Sequence, residues 1–397
     1  MIANGQRGSL ALNPAGAYEE RRMATLEKLN VGIVGSCSRG GSFQASFAAC
    51  SEARVHAVCD LDAGLPEAAR AFEASEQYTD YQQMLSHSDL DAVVIATPMP
   101  LHAAQSIMAL QEGLHVLSEV TAAVSVEEAR DLVLAAHASD GIYMLAENCN
   151  YFITNMIVTQ LVRRGLFGTT YFADGEYLHN VKNLAERTPW RRSVQLGIDG
   201  ITYGTHSLGP MLQWLPGDRV ASVCCAGSGH HYQDPRGDDY HQDTSLMLGK
   251  MVSGGLIKLR VDLVSLRPHL NCTYQLQGTR GCYESARTPT GQHRVWLSER
   301  CDDPEAWMNL SDLQDEFLPQ QWRQAMGLAR GAGHGGSDYF VIHDFIQAVI
   351  SGGPSPIGVH EAMDMTLPGL ISQQSIAVEG QWMEVPDSRD WVTGAGT

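Results

Sequence analysis

Short apolar runs closed by glycine-rich or polar turns alternate with helically spaced stretches along the first third of the chain. VGIVG, beginning at Val31, has the continuous apolar character of a strand buried on both faces, and SCSRGGS and FQASFAAC follow it as turn and helix. A second strand, VHAVCD, ends at Asp60. YQQMLSHSDL then precedes DAVVIAT, AAQSIMALQEG precedes HVLSE, and VEEARDLVLAAHASDG precedes IYMLAEN. Strands alternating with helices over roughly 120 residues predict an α/β Rossmann domain, a doubly wound parallel sheet. Past about residue 150 the texture changes. The helix-like MIVTQLVRRG leads to the longer strand-like runs YFADGEYLH, TSLMLGKMV, GLIKLRVDLVS and CTYQLQG, and the tail turns helical again. That pattern predicts an α+β domain with a large, open, mostly antiparallel sheet. The expected organisation is an N-terminal extension (1–28), a dinucleotide-binding domain (29–150), a substrate-binding domain (151–385) and a C-terminal tail (386–397).

Composition narrows the function classes. The 397 residues are 44% hydrophobic and 18% charged, as suits a globular protein with sizeable cores. The net charge of −18 would repel nucleic acid or an acidic membrane surface, though not a small anion held locally. Nine cysteines without paired metal-ligand spacing predict buried thiols in a reducing compartment. Arg21-Arg22 lacks the apolar core of a signal peptide after it, and no run is long enough to span a membrane. The expectation is a soluble, cytoplasmic protein with a poorly ordered N-terminal arm.

The turn after the first strand carries chemistry. Gly35, Cys37 and Gly40 occupy the slots of G-x-G-x-x-G, with cysteine in the second. Such a turn lets the backbone approach a pyrophosphate at a helix N-terminus. Asp60 stands at the end of the next strand, where a carboxylate accepts hydrogen bonds from an adenosine ribose and repels a 2′-phosphate. Gly35, Ser36, Cys37, Ser38, Arg39, Gly40 and Asp60 are therefore the expected NAD contacts.

Further segments resemble the Gfo/Idh/MocA oxidoreductase family: ATPMPLH (Ala96 to His102) and HVLSEVTAA (His115 to Ala123). This resemblance adds Thr97, Pro98, His102, Glu119 and Asn148 to the cofactor site. Val120 and Thr121 stand where the family has Lys-Pro, and that lysine usually assists hydride transfer. MLAENCNY, GEYLHN, PWRR, YGTHSLGP and GHGGSD look like the family's NAD-dependent glycosidase branch, which includes α-N-acetylgalactosaminidases and sulfoquinovosidases. The branch implies transient oxidation at the sugar C3, elimination of the C1 aglycone after loss of the C2 proton, water addition and re-reduction.

On that resemblance His206 is the candidate base for the C3 hydroxyl. Tyr203 holds or deprotonates the sugar at C2 with its phenol pKa lowered by neighbours, on one face with His206 if the segment is helical, and Tyr177 and His179 line the pocket. Trp190, Arg191, Arg192 and His334 are candidate substrate contacts. The two arginines could fork around a sulfonate or carboxylate, against the plainer alternative of a solvated basic loop. Asp338 suits a helix cap. The His/Asp-rich GHHYQDPRGDDYHQD fits no standard metal site and reads as a loop, so no metal is expected. The expected partner is a small carbohydrate or glycoside, with self-association through the open sheet. The rival readings are a net sugar dehydrogenase and a catalytically silent NAD-binding regulator.

Overall fold

The computed structural model describes residues 28–393 apart from 269 and 302. The expected N-terminal arm, with Arg21-Arg22, lies outside the described residues. No described helix is long and apolar enough to cross a membrane.

The first half is a six-stranded parallel sheet of order β3-β2-β1-β4-β5-β6. Its strands are β1 (Leu29–Val34), β2 (Ala53–Cys59), β3 (Glu76–Tyr78), β4 (Ala92–Ile95), β5 (His115–Ser118) and β6 (Tyr143–Leu145). Every residue of β1 and β4 is buried, which is why these runs are apolar rather than alternating, save for Asn30, whose side chain accepts from Arg54. Strand order reverses between β1 and β4, and ligands of such sheets bind outside the strands' carboxyl ends at that point. The polar ends of four strands converge there: Gly35 after β1, Thr97 after β4, Glu119 after β5 and Glu147 after β6. The crossover helices include α1 (Gln44–Ala48), α2 (Leu65–Phe72), α3 (Tyr81–His87), α4 (His102–Gln111) and α5 (Val126–Ala138). Between the glycine-rich turn and α1 lies a 3-10 turn (Gly40–Phe43), so the turn opens a shorter, tighter helix than its sequence suggests.

The second half is a nine-stranded sheet of order β14-β13-β12-β11-β7-β10-β9-β8-β15. Central are β7 (Thr170–Leu178), β8 (Val220–Gly227), β9 (Thr244–Met251), β10 (Leu256–Asp262) and β11 (Leu270–Gly278). At the edges are β12 (Gly281–Glu284), β13 (Arg294–Leu297), β14 (Met308–Asn309) and β15 (Met383–Glu384). All pairings are antiparallel except β7 with β10. Helix α6 (Ile153–Arg163) leads from the first half into the second, and α7 (Lys182–Arg187) and α8 (Trp190–Val194) follow β7. Helix α9 (Thr205–Trp214) packs on β7 and β11. In the tail, α10 (Gln314–Phe317), α11 (Gln320–Ala329) and α12 (Ser337–Ser351) precede α13 (Val359–Ala377), which covers β8 and reaches back to β6 and α5. The GHHYQDPRGDDYHQD segment is a loop joining β8 to β9.

Gly35 is required where the sheet turns. Its φ is +83°, and a Cβ there would stand 2.5 Å from the Ala96 carbonyl oxygen. Gly35→Ala should destabilise the protein by about 1–3 kcal/mol from backbone strain alone, with the contact adding to it, and should weaken NAD binding. Urea unfolding and calorimetric titration check this; unchanged stability and affinity would contradict it.

Candidate active site

A cleft of about 900 Å³ lies between the carboxyl ends of the parallel strands and the inner face of the second sheet. It brings together Arg39, Thr97, His102, Glu119, Asn148, Tyr177, His179, Trp190, Arg191, Tyr203, His206 and His334, all singled out in the sequence. Glu147 was not, yet it organises the centre. The Glu147 side chain is wholly buried, and its Oε1 accepts hydrogen bonds from His206 Nδ1 at 2.7 Å and the Cys149 amide at 3.0 Å. Gly209 on α9 permits this approach, because a Cβ there would meet Asn150 Oδ1 at 2.5 Å and Glu147 Cγ at 2.7 Å.

Burial disfavours a charged imidazole at His206, but the Glu147 carboxylate outweighs it and lifts the pKa to about 9. Burial likewise opposes ionisation of Glu147, whose pKa is nonetheless lowered by the His206 charge and hydrogen bond. At neutral pH the two form an ion pair. Tyr274 donates its hydroxyl to the His206 carbonyl oxygen at 2.6 Å, tying α9 to β11. Glu147, Cys149 and His206 bring possible metal-ligand atoms within 4.8 Å of one another. The hydrogen bonds among them account for that grouping.

Tyr177, Tyr203 and His206 pack ring to ring, with centroids 5.0–5.6 Å apart. Tyr177 Oη is 2.9 Å from His179 Nδ1, giving a second phenol–imidazole pair at the end of β7. Two expectations for Tyr203 are corrected. Its phenol pKa is raised, not lowered, because burial and the nearby Glu119 and Glu147 outweigh Arg191 and Arg39. It also precedes α9 rather than sharing a helical face with His206, and a loop brings the two rings together.

Arg39 leaves the glycine-rich turn and crosses the cleft. Its Nε donates to Glu119 at 2.8 Å, and its two terminal nitrogens meet both Asp338 oxygens at 2.6 and 2.9 Å. Asp338 stands in the first turn of α12, as expected, but forms no capping hydrogen bond and is instead the buried partner of Arg39. Although burial alone would raise it, the His334 and Arg39 contacts hold the Asp338 carboxyl far below the usual range. His334 Nδ1 lies 3.1 Å from the same carboxylate, which orients its ring at the cleft mouth.

Arg191 and Arg192 separate. Arg191 lines the cleft, stacks on Trp190 and has a buried Nε without a hydrogen-bond partner. Arg192 turns the other way onto Glu186 and Asp234, so the paired fork does not form. Consecutive residues on the short α8 point in different directions, and nearby carboxylates decide which way Arg192 goes.

The residues around the glycine-rich turn fit a dinucleotide. A Cβ at Gly40 would stand 2.6 Å from the Gly35 carbonyl oxygen, and Ser36 Oγ is buried without a partner. Asp60, just past β2, accepts from the Cys37 amide at 2.8 Å and the Asp62 amide at 3.0 Å, which fixes its carboxylate beside the turn. Ser38 is exposed, and Pro98 begins the turn into α4 beside the cleft. Asn148 Oδ1 is buried at the cleft wall without a partner. His102 braces the floor instead, with its ring nitrogens 2.8 Å from the Thr97 oxygen and 2.9 Å from the Thr121 oxygen. Val120 puts an apolar surface where the family's lysine would stand.

Removing the Glu147 charge should let burial prevail over His206. Glu147→Gln is expected to lower the His206 titration by more than a unit from about 9, read by NMR of the imidazole. An unchanged titration would remove the ion pair from the account.

Residues 151–393, more than half of the chain, match the family model for the Glycosyl hydrolase 109 C-terminal domain. Residues 29–147 match the oxidoreductase family with an NAD-binding Rossmann fold, GFO_IDH_MocA. A Glycosyl hydrolase family 109 protein of Saccharopolyspora erythraea is 29% identical over 395 residues, covering 91% of this chain and 83% of the relative. One from Solibacter usitatus is 28% identical, covering 90% of this chain and 88% of its own. Among solved structures, a levoglucosan dehydrogenase with NADH and levoglucosan aligns at TM-score 0.77 and 20% identity, over 91% of this chain and all of its own. An NAD-binding oxidoreductase from Klebsiella pneumoniae aligns at TM-score 0.78 and 19% identity, over 90% of this chain and 99% of its own. At those identities the structures speak for the fold alone. The Rossmann turn fits NAD, and the second half carries the cleft's Tyr/His set on a hydrolase-family domain. The protein is thus an NAD-dependent enzyme of the Gfo/Idh/MocA family and belongs to its Glycosyl hydrolase 109 branch, which sets aside the silent-regulator reading.

Proposed function

We propose that the protein hydrolyses a glycoside through transient oxidation of the sugar at C3, leaving no net redox change. The observation that carries this reading is the presence of two imidazole-centred proton relays, Glu147–His206 and Tyr177–His179, in one cleft beside a dinucleotide turn. Simple alcohol oxidation needs one proton acceptor. Loss of the C2 proton and departure of the aglycone need a second.

Bound NAD supplies a hydride acceptor, and later a hydride donor, for one carbinol carbon. Gly35, Ser36, Gly40 and Asp60 would hold its adenosine and phosphates, with Thr97 and Asn148 nearer the cleft. Glu147 orients the His206 ring and leaves Nε2 for the C3 hydroxyl proton. Only the neutral imidazole can accept that proton, so activity rises with pH toward about 9. Tyr203, kept protonated by burial, donates a hydrogen bond to a sugar oxygen. Tyr177 takes the C2 proton, and His179 Nδ1 receives the phenol's own. Trp190 and His334 border the sugar, and Arg191 meets any anionic group. Without Arg192 an anionic sugar such as a sulfoquinovoside rests on Arg191 alone.

We also read the outer face of the nine-stranded sheet as the seat of a second copy of this chain. Exposed Leu246 and Leu256 there adjoin the ion pairs Lys258–Asp174 and Arg260–Glu176, a mix of apolar and charged groups suited to a two-fold contact.

A panel of nitrophenyl glycosides (neutral, N-acetylated and sulfonated, both anomers), assayed with NAD, tests the reaction. Aglycone should appear without growth of the reduced-nicotinamide band, and His206→Ala should lower turnover by about 10²–10⁴-fold. Arg191→Ala should raise KM on the sulfonated glycosides, whereas Arg192→Ala should not. NADH accumulating in step with product would establish the rival, a net sugar dehydrogenase.

A further inference from the structure

Cys149 Sγ, at the cleft wall, lies 3.8 Å from Cys272 Sγ behind it, although 123 residues separate them in sequence. Cys149 sits in the turn after β6 and lines the cleft, whereas Cys272 sits on β11 in register with Tyr177. Neither thiol has a part in the chemistry above. The Cys149 hydrogen bond lowers the Cys272 pKa against the effect of burial, and His206 adds to that lowering. Burial raises that of Cys149.

We propose that hydrogen peroxide entering the cleft joins Cys149 and Cys272 in a reversible disulfide that disables the Glu147–His206 relay. One thiol of the pair attacks a peroxide oxygen as its thiolate, the O–O bond breaks, and the hydroxide released takes up that thiol's proton as water. The other thiol then attacks the sulfenic sulfur, the S–O bond breaks, and a second water leaves with its proton. Two thiols lose two electrons and one peroxide gains them; a dithiol reductant reverses the bond.

Bond formation requires the sulfurs to close from 3.8 Å to about 2.05 Å. That movement falls on two segments that hold the relay. The Cys149 amide holds the Glu147 carboxylate, and Tyr274, two residues from Cys272, holds the His206 carbonyl. Oxidation therefore reads out at His206.

The NAD-loaded, reduced protein is treated with one equivalent of peroxide, unfolded in denaturant, alkylated and digested without reductant. The expected result is a Cys149–Cys272 linked peptide, a mass two hydrogens lower, and alkylatable thiols falling from nine to seven. The His206 titration should shift, glycoside turnover should fall about tenfold or more, and dithiothreitol should restore both. Cys272→Ser should keep its turnover and resist peroxide. Both thiols remaining alkylatable would mean that 3.8 Å is only a packing contact and would overturn the proposal. A linked pair with unchanged His206 titration would overturn the switch. The loss of turnover rests on the glycosidase reading, but the peptide map and the titration do not. Failure of that reading would show as no turnover before any oxidant is added.

Discussion

A carboxylate removed entirely from water must be met by a charge or take up a proton, and the centre of this enzyme is built around that constraint. Glu147 meets it with His206. The pair forms only if the end of β6 lies against the start of α9, so it fixes how the two halves of the chain dock. It also fixes the protonation state of His206, the base we propose. The raised His206 pKa contributes stability in full below about 6.5, and that stability is lost as pH rises through about 9. The lowered Glu147 pKa contributes above the ordinary carboxylate value and is lost as pH falls through its folded pKa. The ion pair is therefore strongest between those limits, while the proposed role of neutral His206 as a base favours the upper one. On that proposal stability and activity pull in opposite directions at one residue.

Arg39 and Asp338 repeat the device at the mouth of the cleft. A guanidinium from the Rossmann turn reaches a buried carboxylate on α12, and the two hydrogen bonds give the contact direction as well as charge. Removing one partner of such a buried pair typically costs about 3–5 kcal/mol, because the other is left unpaired. Both pairs join the parallel sheet's carboxyl ends to the second half, so the cleft's geometry depends on ions held across it.

Much of this was legible in the sequence, and the rest was hidden for physical reasons. The parallel strands announced themselves because burial on both faces demands unbroken apolar runs, and the glycine-rich turn because only glycine tolerates φ of +83° at Gly35. β3, at three residues, is too short for any period to show. Tyr177, His179, Tyr203 and His206 stood out through motifs that resemble a known branch. Glu147 lay inside one of those motifs, but a lone glutamate after an apolar strand gives no sign that it will be wholly buried. Arg192 looked the equal of Arg191 because its partners, Glu186 on the preceding short helix and Asp234 in the β8–β9 loop, are brought to it by turns that no sequence period reveals. The first-turn position of Asp338 was legible, but its pairing with Arg39 was not, because that partner is 299 residues away.

The central claim is that the sugar's C2 proton leaves during hydrolysis, which simple glycoside hydrolysis never requires. Turnover in deuterium oxide tests it directly, with the released sugar examined by NMR and mass spectrometry. The account predicts deuterium bonded to carbon at C2, delivered when water adds back. A product sugar carrying only its original carbon-bound hydrogen at C2 would contradict it.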